Sequence, residues 1–315
     1  MKQRTDGIHR KELIPICVLL ILCPAFLLPV QSVAQAEYDD LTGVKVAIYN
    51  GLGVMGSSRI ALTRMFEWMG ATVGNITASQ ILDNGLDGYD ILAIPGGSET
   101  TCSDELESEG KQIVKDFVAS GGSYFGICGG ATFGARYLRL FNGYMGPTSE
   151  PGSLIHITTM HVNQSCTGPD LSDLSDNFTT MYYASQRFTP KPYQQTPIHI
   201  IATYDYDGSA GMVAFEYENG SVFLSSPHPE FEENSNRDGT TSYDYLDDPD
   251  SEWDLLLRVS KWLVEASYVE PASSPTTPTP TSTPNTYDVA LIAITTTGIV
   301  IVGLVVAVLY RRMHG

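Results

Sequence analysis

Three hydrophobic patterns follow one another along the chain. Residues 13–30 form one apolar run, residues 44–264 break into short apolar runs that alternate with stretches of helical spacing, and residues 289–310 are apolar again without a charge. The middle pattern predicts alternating strands and helices. Residues 44–49 (VKVAIY) are short, β-branched and stopped by Asn50-Gly51, as a buried parallel strand requires. A glycine-rich loop, 51–56, leads to Ser57 or Ser58 as N-cap of a helix in which Ile60, Leu62, Met65, Phe66 and Met69 recur at helical spacing up to Gly70. Residues 71–76 predict a second strand, 79–84 a short helix, and 89–94 a third strand that enters Pro95-Gly96-Gly97. Ser103 is the expected cap of the next helix, which has Asp104 and Glu105 in its first turn and runs to about Ser120. A fourth strand, 123–127, runs straight into Cys128.

This order predicts βαβ crossovers and a parallel sheet with helices on both faces, a flavodoxin-like α/β fold. Beyond residue 140 the pattern changes. Residues 154–162, 198–204, 211–217 and 221–224 alternate or run apolar, with Asp207-Gly208 and Asn219-Gly220 as turns, so an antiparallel extension of the sheet is expected. Residues 253–264, capped by Asp250 or Ser251, predict a closing helix.

The flanking runs change the picture from a free domain to an exported one. Lys2, Arg4, Arg10 and Lys11 precede the first run and Ala34-Gln35-Ala36 follows it, so residues 1–36 read as a signal peptide cleaved before Glu37. The second run is long enough to span a hydrocarbon core, and Arg311 and Arg312 behind it place that end in the cytoplasm. The expected organisation is a signal peptide (1–36), one α/β domain (37–270), a Thr/Pro/Ser-rich stalk open to O-glycosylation (271–287), a transmembrane helix (288–310) and a short cytoplasmic tail (311–315). The domain faces away from the cytoplasm, at the cell membrane. Sequons at Asn75, Asn163, Asn177 and Asn219 fit an exported glycoprotein.

Residues 37–270 hold 12 Lys and Arg against 33 Asp and Glu, a net charge of −21. Such a surface repels nucleic acid and phosphate-rich ligands, so no nucleic-acid partner is expected. After signal cleavage three cysteines remain, Cys102, Cys128 and Cys166. An odd number in an exported chain allows one bridge and one free thiol; if Cys128 is free, Cys102 and Cys166 are the available pair.

Candidate chemistry gathers in three segments. In 122–131 (GSYFGICGGA) a strand ends in Gly126-Ile127-Cys128-Gly129-Gly130 and a helix begins. A nucleophile elbow needs this arrangement, because its turn forces the nucleophile into strained backbone and only small neighbours fit. A thiol at a helix N-terminus is in surroundings that favour the thiolate, and the Gly129 N–H points to an oxyanion. The same turn fits a buried structural cysteine among packing glycines. Pro95-Gly96-Gly97 ends the neighbouring strand, where a glycine N–H can complete an oxyanion hole. Ser225-Ser226-Pro227-His228-Pro229-Glu230 sets a base and an orienting carboxylate two residues apart at a strand end.

These segments, in this order, resemble class I glutamine amidotransferases, with a PGG loop, a G-x-C-x-G elbow and a distal H-P-E. They are most similar to the branch known as the biotin-protein ligase N-terminal-like domain, through Val46–Gly51 with Gly53, the GICGGA elbow and the 227–231 PHPEF segment. The resemblance spans nearly all of 43–268 and implies a Cys128–His228–Glu230 triad with Gly97 and Gly129 as oxyanion donors. It implies no cofactor. One position departs: glutamine-using members carry Gln four residues after the nucleophile, where this chain has Thr132. With no attached synthetase domain and an extracytoplasmic setting, glutaminase activity coupled to synthesis is not expected.

Other patterns are weaker. The acidic run 247–252, with Glu230, Glu232 and Glu233 upstream, offers oxygen ligands for Ca²⁺ but lacks EF-hand spacing; it reads as a solvated acidic loop, and no metal is expected. Tyr182, Tyr183, Phe188 and Tyr193 line a pocket or pack, and 51–56 loosely follows a dinucleotide fingerprint. Three readings follow: a thiol hydrolase acting on an amide or related acyl bond of a small molecule or peptide, a domain binding a glycan or peptide without turnover, and a structural envelope protein.

Overall fold

The short β-branched runs become the centre of one sheet, and the periodic stretches become the helices that cover it. The computed structural model describes residues 40–149, 151–192, 195–232 and 235–267. The expected signal peptide, stalk, transmembrane helix and tail, and Tyr193 and Glu233, lie outside the described residues. Among the described residues no helix is long and apolar enough to cross a membrane.

The order is β1 (Lys45–Tyr49), α1 (Gly56–Trp68), β2 (Thr72–Ile76), α2 (Ala78–Leu82), β3 (Ile91–Ile94), α3 (Glu99–Ala119), β4 (Ser123–Ile127) and α4 (Gly129–Thr132). Then follow β5 (Gly143–Pro147), β6 (Ile155–Val162), β7 (Asn177–Tyr183), β8 (Gln186–Pro190), β9 (Ile198–Tyr204), β10 (Ala210–Tyr217), β11 (Gly220–Ser225) and α5 (Trp253–Ala266). The strands lie in the order β2-β1-β3-β4-β11-β10-β9-β6-β7, with β5 paired to β8 and β8 to β10. The first five are mutually parallel, in the 2-1-3-4-5 order of flavodoxin-like sheets with β11 as the fifth. The rest are antiparallel, a larger extension than the sequence predicts: β5, β7 and β8 were not expected.

Helices cover both faces. Leu62, Met65 and Phe66 of α1 pack with Leu255, Leu256, Val259 and Leu263 of α5 on one side. Ile81 of α2 and Leu106, Val114 and Val118 of α3 pack on the other. Phe125 of β4 sits between Phe66 and Phe223, with ring centroids 5.1 and 4.9 Å away, and so joins α1 to the strand that carries the elbow. Buried hydroxyls of Ser123 and Ser221 both donate to the Leu263 carbonyl, tying the end of α5 to β4 and β11.

The helix caps differ from expectation in informative ways. α1 starts at Gly56 without a side-chain cap, because the cap position falls on Met55 and both Ser57 and Ser58 lie inside the helix. α2 is opened by a Thr77/Gln80 capping box. Ser98, not Ser103, caps α3; Ser103 is buried and accepts from Lys111 at 2.8 Å. α3 is interrupted at Glu107, whose φ of 52° is not helical. Neither Asp250 nor Ser251 is the cap residue of α5, which is Glu252.

Candidate functional site

β4 is buried along its whole length and delivers Cys128 to the end of the parallel strands. Cys128 has φ 49° and ψ −110°, a left-handed backbone that costs a non-glycine residue about 1–3 kcal/mol. Its N–H donates to the Ser225 carbonyl at 2.7 Å, and its carbonyl accepts from Thr132 at 2.9 Å, so the turn is fastened on both sides. The helix behind it is one α turn that continues as a π turn over Phe133–Tyr137.

The glycines are required by close backbone approach. A Cβ on Gly129 would lie 2.0 Å from the Gly97 carbonyl oxygen, and one on Gly130 2.0 Å from that of Ile94. Gly97 has φ 143°, and a Cβ there would lie 2.0 Å from the Gly53 oxygen. The three loops that end β1, β3 and β4 are therefore in direct contact, and Gly97 and Gly129, the implied oxyanion donors, are neighbours.

β11 runs parallel beside β4 with Ser225 opposite Ile127, which carries the Pro227–Glu230 segment to the elbow. The His228 N–H donates to the Met181 carbonyl on β7 at 2.9 Å. Its ring abuts the PGG loop: a Cβ on Gly96 would meet His228 Cε1 at 2.5 Å. His228 Nδ1 is 2.9 Å from Glu230 Oε1, and both side chains are fully buried. Burial opposes charge on this imidazole, but the Glu230 carboxylate, and after it Cys128, outweigh burial and raise His228 to about 10. With Nδ1 engaged by Glu230, Nε2 is buried without a hydrogen bond.

Two residues outside the sequence-derived set complete the support. Ser58 donates to Glu230 Oε1 at 2.6 Å and accepts from the Gly96 N–H at 2.9 Å, joining α1, the PGG loop and the carboxylate. The Trp253 indole N–H donates to the Glu230 carbonyl at 3.1 Å. Ser58 was legible only as a helix cap, and Trp253 only as a helix residue. Tyr243 is a third addition: its hydroxyl donates to Met55 Sδ at 3.4 Å, and its ring is 6.4 Å from Tyr183, which is itself 6.1 Å from His228. Of the aromatic candidates among the described residues, only Tyr183 reaches His228. Tyr182 is held by Thr148 and the Ser185 carbonyl, and Phe188 is core.

Other candidates separate from the site. Burial pushes the Cys102 thiol up to about 12 and also raises Cys166. The two are not bridged, and they pack on opposite faces of the sheet. The 51–56 loop is occupied by protein: Glu105 accepts from the Leu52 N–H at 2.6 Å and from the Tyr49 hydroxyl at 2.5 Å, so a carboxylate stands where a phosphate would be cradled. The acidic run is exposed at Asp247, Asp250 and Ser251, as a solvated loop should be, but Asp248 and Glu252 are only 1% and 2% exposed.

Parts of the chain are similar to known proteins. Residues 44–146 match the family described as biotin-protein ligase, N terminal. A biotin–protein ligase of Schizosaccharomyces pombe is 26% identical over 216 residues, covering 60% of this chain and 33% of that protein. An uncharacterized protein of Chlamydia muridarum is 26% identical over 165 residues, covering 45% of this chain and 60% of that one. The matches thus span less than two thirds of either relative. A glutamine amidotransferase structure from Thermotoga maritima is similar at a TM-score of 0.45 and 14% identity, covering 71% of this chain and 96% of that one. The expected resemblance to the biotin-protein ligase N-terminal family is borne out over residues 44–146, which hold the PGG loop and the elbow but not the 227–231 segment, and the expected α/β fold stands on the strand order itself.

Proposed function

We propose that this chain is a membrane-anchored, extracytoplasmic hydrolase-like protein that opens an amide or related acyl bond of a small molecule or peptide through a thioester on Cys128. The observation that carries the reading is the fully buried His228–Glu230 pair, held at 2.9 Å beside a strained elbow cysteine. The location rests on the sequence of residues 1–36 and 271–315, as does the absence of a nucleic-acid partner on its acidity.

In this reading His228 takes the thiol proton and Glu230 stabilises the resulting imidazolium. The thiolate attacks the carbonyl carbon, a C–S bond forms, and the carbonyl electron pair moves to oxygen. Gly97 and Gly129 receive that oxyanion. The pair returns, the C–N bond breaks, and His228 gives its proton to the departing amine. Water, deprotonated by His228, then attacks the thioester; the acid leaves and the thiol is restored.

Thr132 favours a second reading, a domain that binds its ligand without turnover, because glutamine-using relatives carry Gln there. An electrophilic thiol probe at neutral pH, followed by peptide mapping, separates the two. The hydrolase reading predicts labelling concentrated on Cys128 and lost in Cys128→Ala, since burial keeps Cys102 and Cys166 protonated at that pH. Labelling that ignores Cys128 overturns it.

A further inference from the structure

The acidic run before α5 is built around one hydroxyl. Thr179 of β7 lies within hydrogen-bond reach of two carboxylates at once, Asp248 Oδ1 at 2.6 Å and Asp250 Oδ1. A hydroxyl has one proton, so it can satisfy only one of them. The backbone N–H of Thr179 donates to Asp250 Oδ2 at 3.0 Å, which leaves that carboxylate well supported. Asp248 is not: it is 1% exposed, and its Oδ2 is buried with no hydrogen-bond partner. A buried carboxylate oxygen without a donor carries a desolvation cost that only a proton or a cation relieves.

A third carboxylate, Glu252, is buried next to this pair, and one ligand atom from each of Asp248, Asp250 and Glu252 lies within 4.8 Å of the others. Arg237 contacts the neighbouring Ser251, but its guanidinium is bound to Glu232 at 2.6 Å and stacked 4.1 Å over the Trp253 ring. Asp250 is exposed and, with Ser251, Glu252 and Asn177, lines a cavity of about 140 Å³, which gives an ion a way in and room for water.

We propose that Asp248, Asp250 and Glu252, backed by Thr179, form a calcium site that clamps β7 to the start of α5. The donors are all hard oxygens, and the site is open on one side, so waters complete the six to eight ligands calcium takes; magnesium asks for a tighter octahedron. The clamp has a consequence for the thiol site. β7 holds the His228 N–H through Met181, and Trp253, next after Glu252, holds the Glu230 carbonyl. An ion here fixes both supports of the His228–Glu230 segment without touching either side chain.

The test uses the full chain, stripped with EDTA and titrated with CaCl₂ or MgCl₂ under calorimetry and thermal melting. The proposal predicts saturable calcium binding near one ion per chain. It also predicts a rise in melting temperature of about 5–10 °C at a hundredfold excess over Kd. Asp250→Asn, at an exposed position that should leave the fold intact, is expected to weaken binding at least tenfold, and Asp248→Asn to abolish it. Absence of binding by the unmodified chain at millimolar calcium overturns the proposal. So does an affinity unchanged by Asp250→Asn, or a preference for magnesium over calcium.

Discussion

Glu230→Ala is expected to destabilise the folded chain by about 3–5 kcal/mol, because it removes one partner of a fully buried charged pair and leaves the other uncompensated. The Ser58 hydroxyl, which donates to the same oxygen, loses its acceptor in the same step. The loss should depend on pH in a defined sense. His228 is raised to about 10 in the folded state, above its unperturbed value near 6.5. A raised imidazole adds stability that is fully present below about 6.5 and disappears as pH climbs through about 10. Without Glu230, burial pushes the ring towards its neutral form, with Cys128 left to oppose it. The gap between the two proteins should therefore be widest in mildly acidic solution and narrow towards pH 10. Urea denaturation across that range, with the His228 ring followed by NMR, checks both the size and the slope. A gap independent of pH would mean that the pair is not charged.

Gly129→Ala is expected to cost about 3 kcal/mol and to lower the melting temperature by about 6–12 °C. The cost comes from geometry. The new methyl group would lie 2.0 Å from the Gly97 carbonyl oxygen and 2.7 Å from its carbon, which are main-chain atoms with no rotamer to change. Relief requires moving either the elbow or the PGG loop, and Gly97 is itself held against Gly53. The same displacement separates the two amides assigned to the oxyanion, so probe reactivity of Cys128 should fall along with stability. A variant as stable as the parent would show that the two loops are not packed together.

The central fold was legible because β1, β3 and β4 are short apolar runs, each followed within two residues by glycine, the pattern expected of buried parallel strands. The elbow was legible for a related reason: a cysteine with φ 49° needs small neighbours, and Gly126, Gly129 and Gly130 record that need in the sequence. β5 and β8 were not legible. β5 (GYMGP) is rich in the residues that mark turns and becomes a strand only because β8 pairs with it. β7 carries polar Asn and Thr among its aromatics and was read as an aromatic stretch, though residues 177–183 pair with β6 along their length.

The site divides in the same way. Cys128, His228 and Glu230 are each announced by local sequence, whereas Ser58 meets Glu230 across 172 positions, and nothing near Ser58 distinguishes it from a helix cap. Trp253 reaches back 23 positions, its indole donating to a main-chain carbonyl, a contact that no side-chain pattern records. The burial of Asp248 escaped the sequence for the same reason: its partner is Thr179, about seventy residues earlier, which composition cannot show.

The claim that Cys128 and His228 act as one unit is tested most directly by the rate at which iodoacetamide alkylates Cys128 at pH 7, in the parent chain and in His228→Ala. The account predicts a rate at least tenfold faster with His228 present, since an imidazole raised to about 10 carries positive charge at that pH, which favours attack by the neighbouring sulfur. Equal rates in the two folded proteins would contradict it.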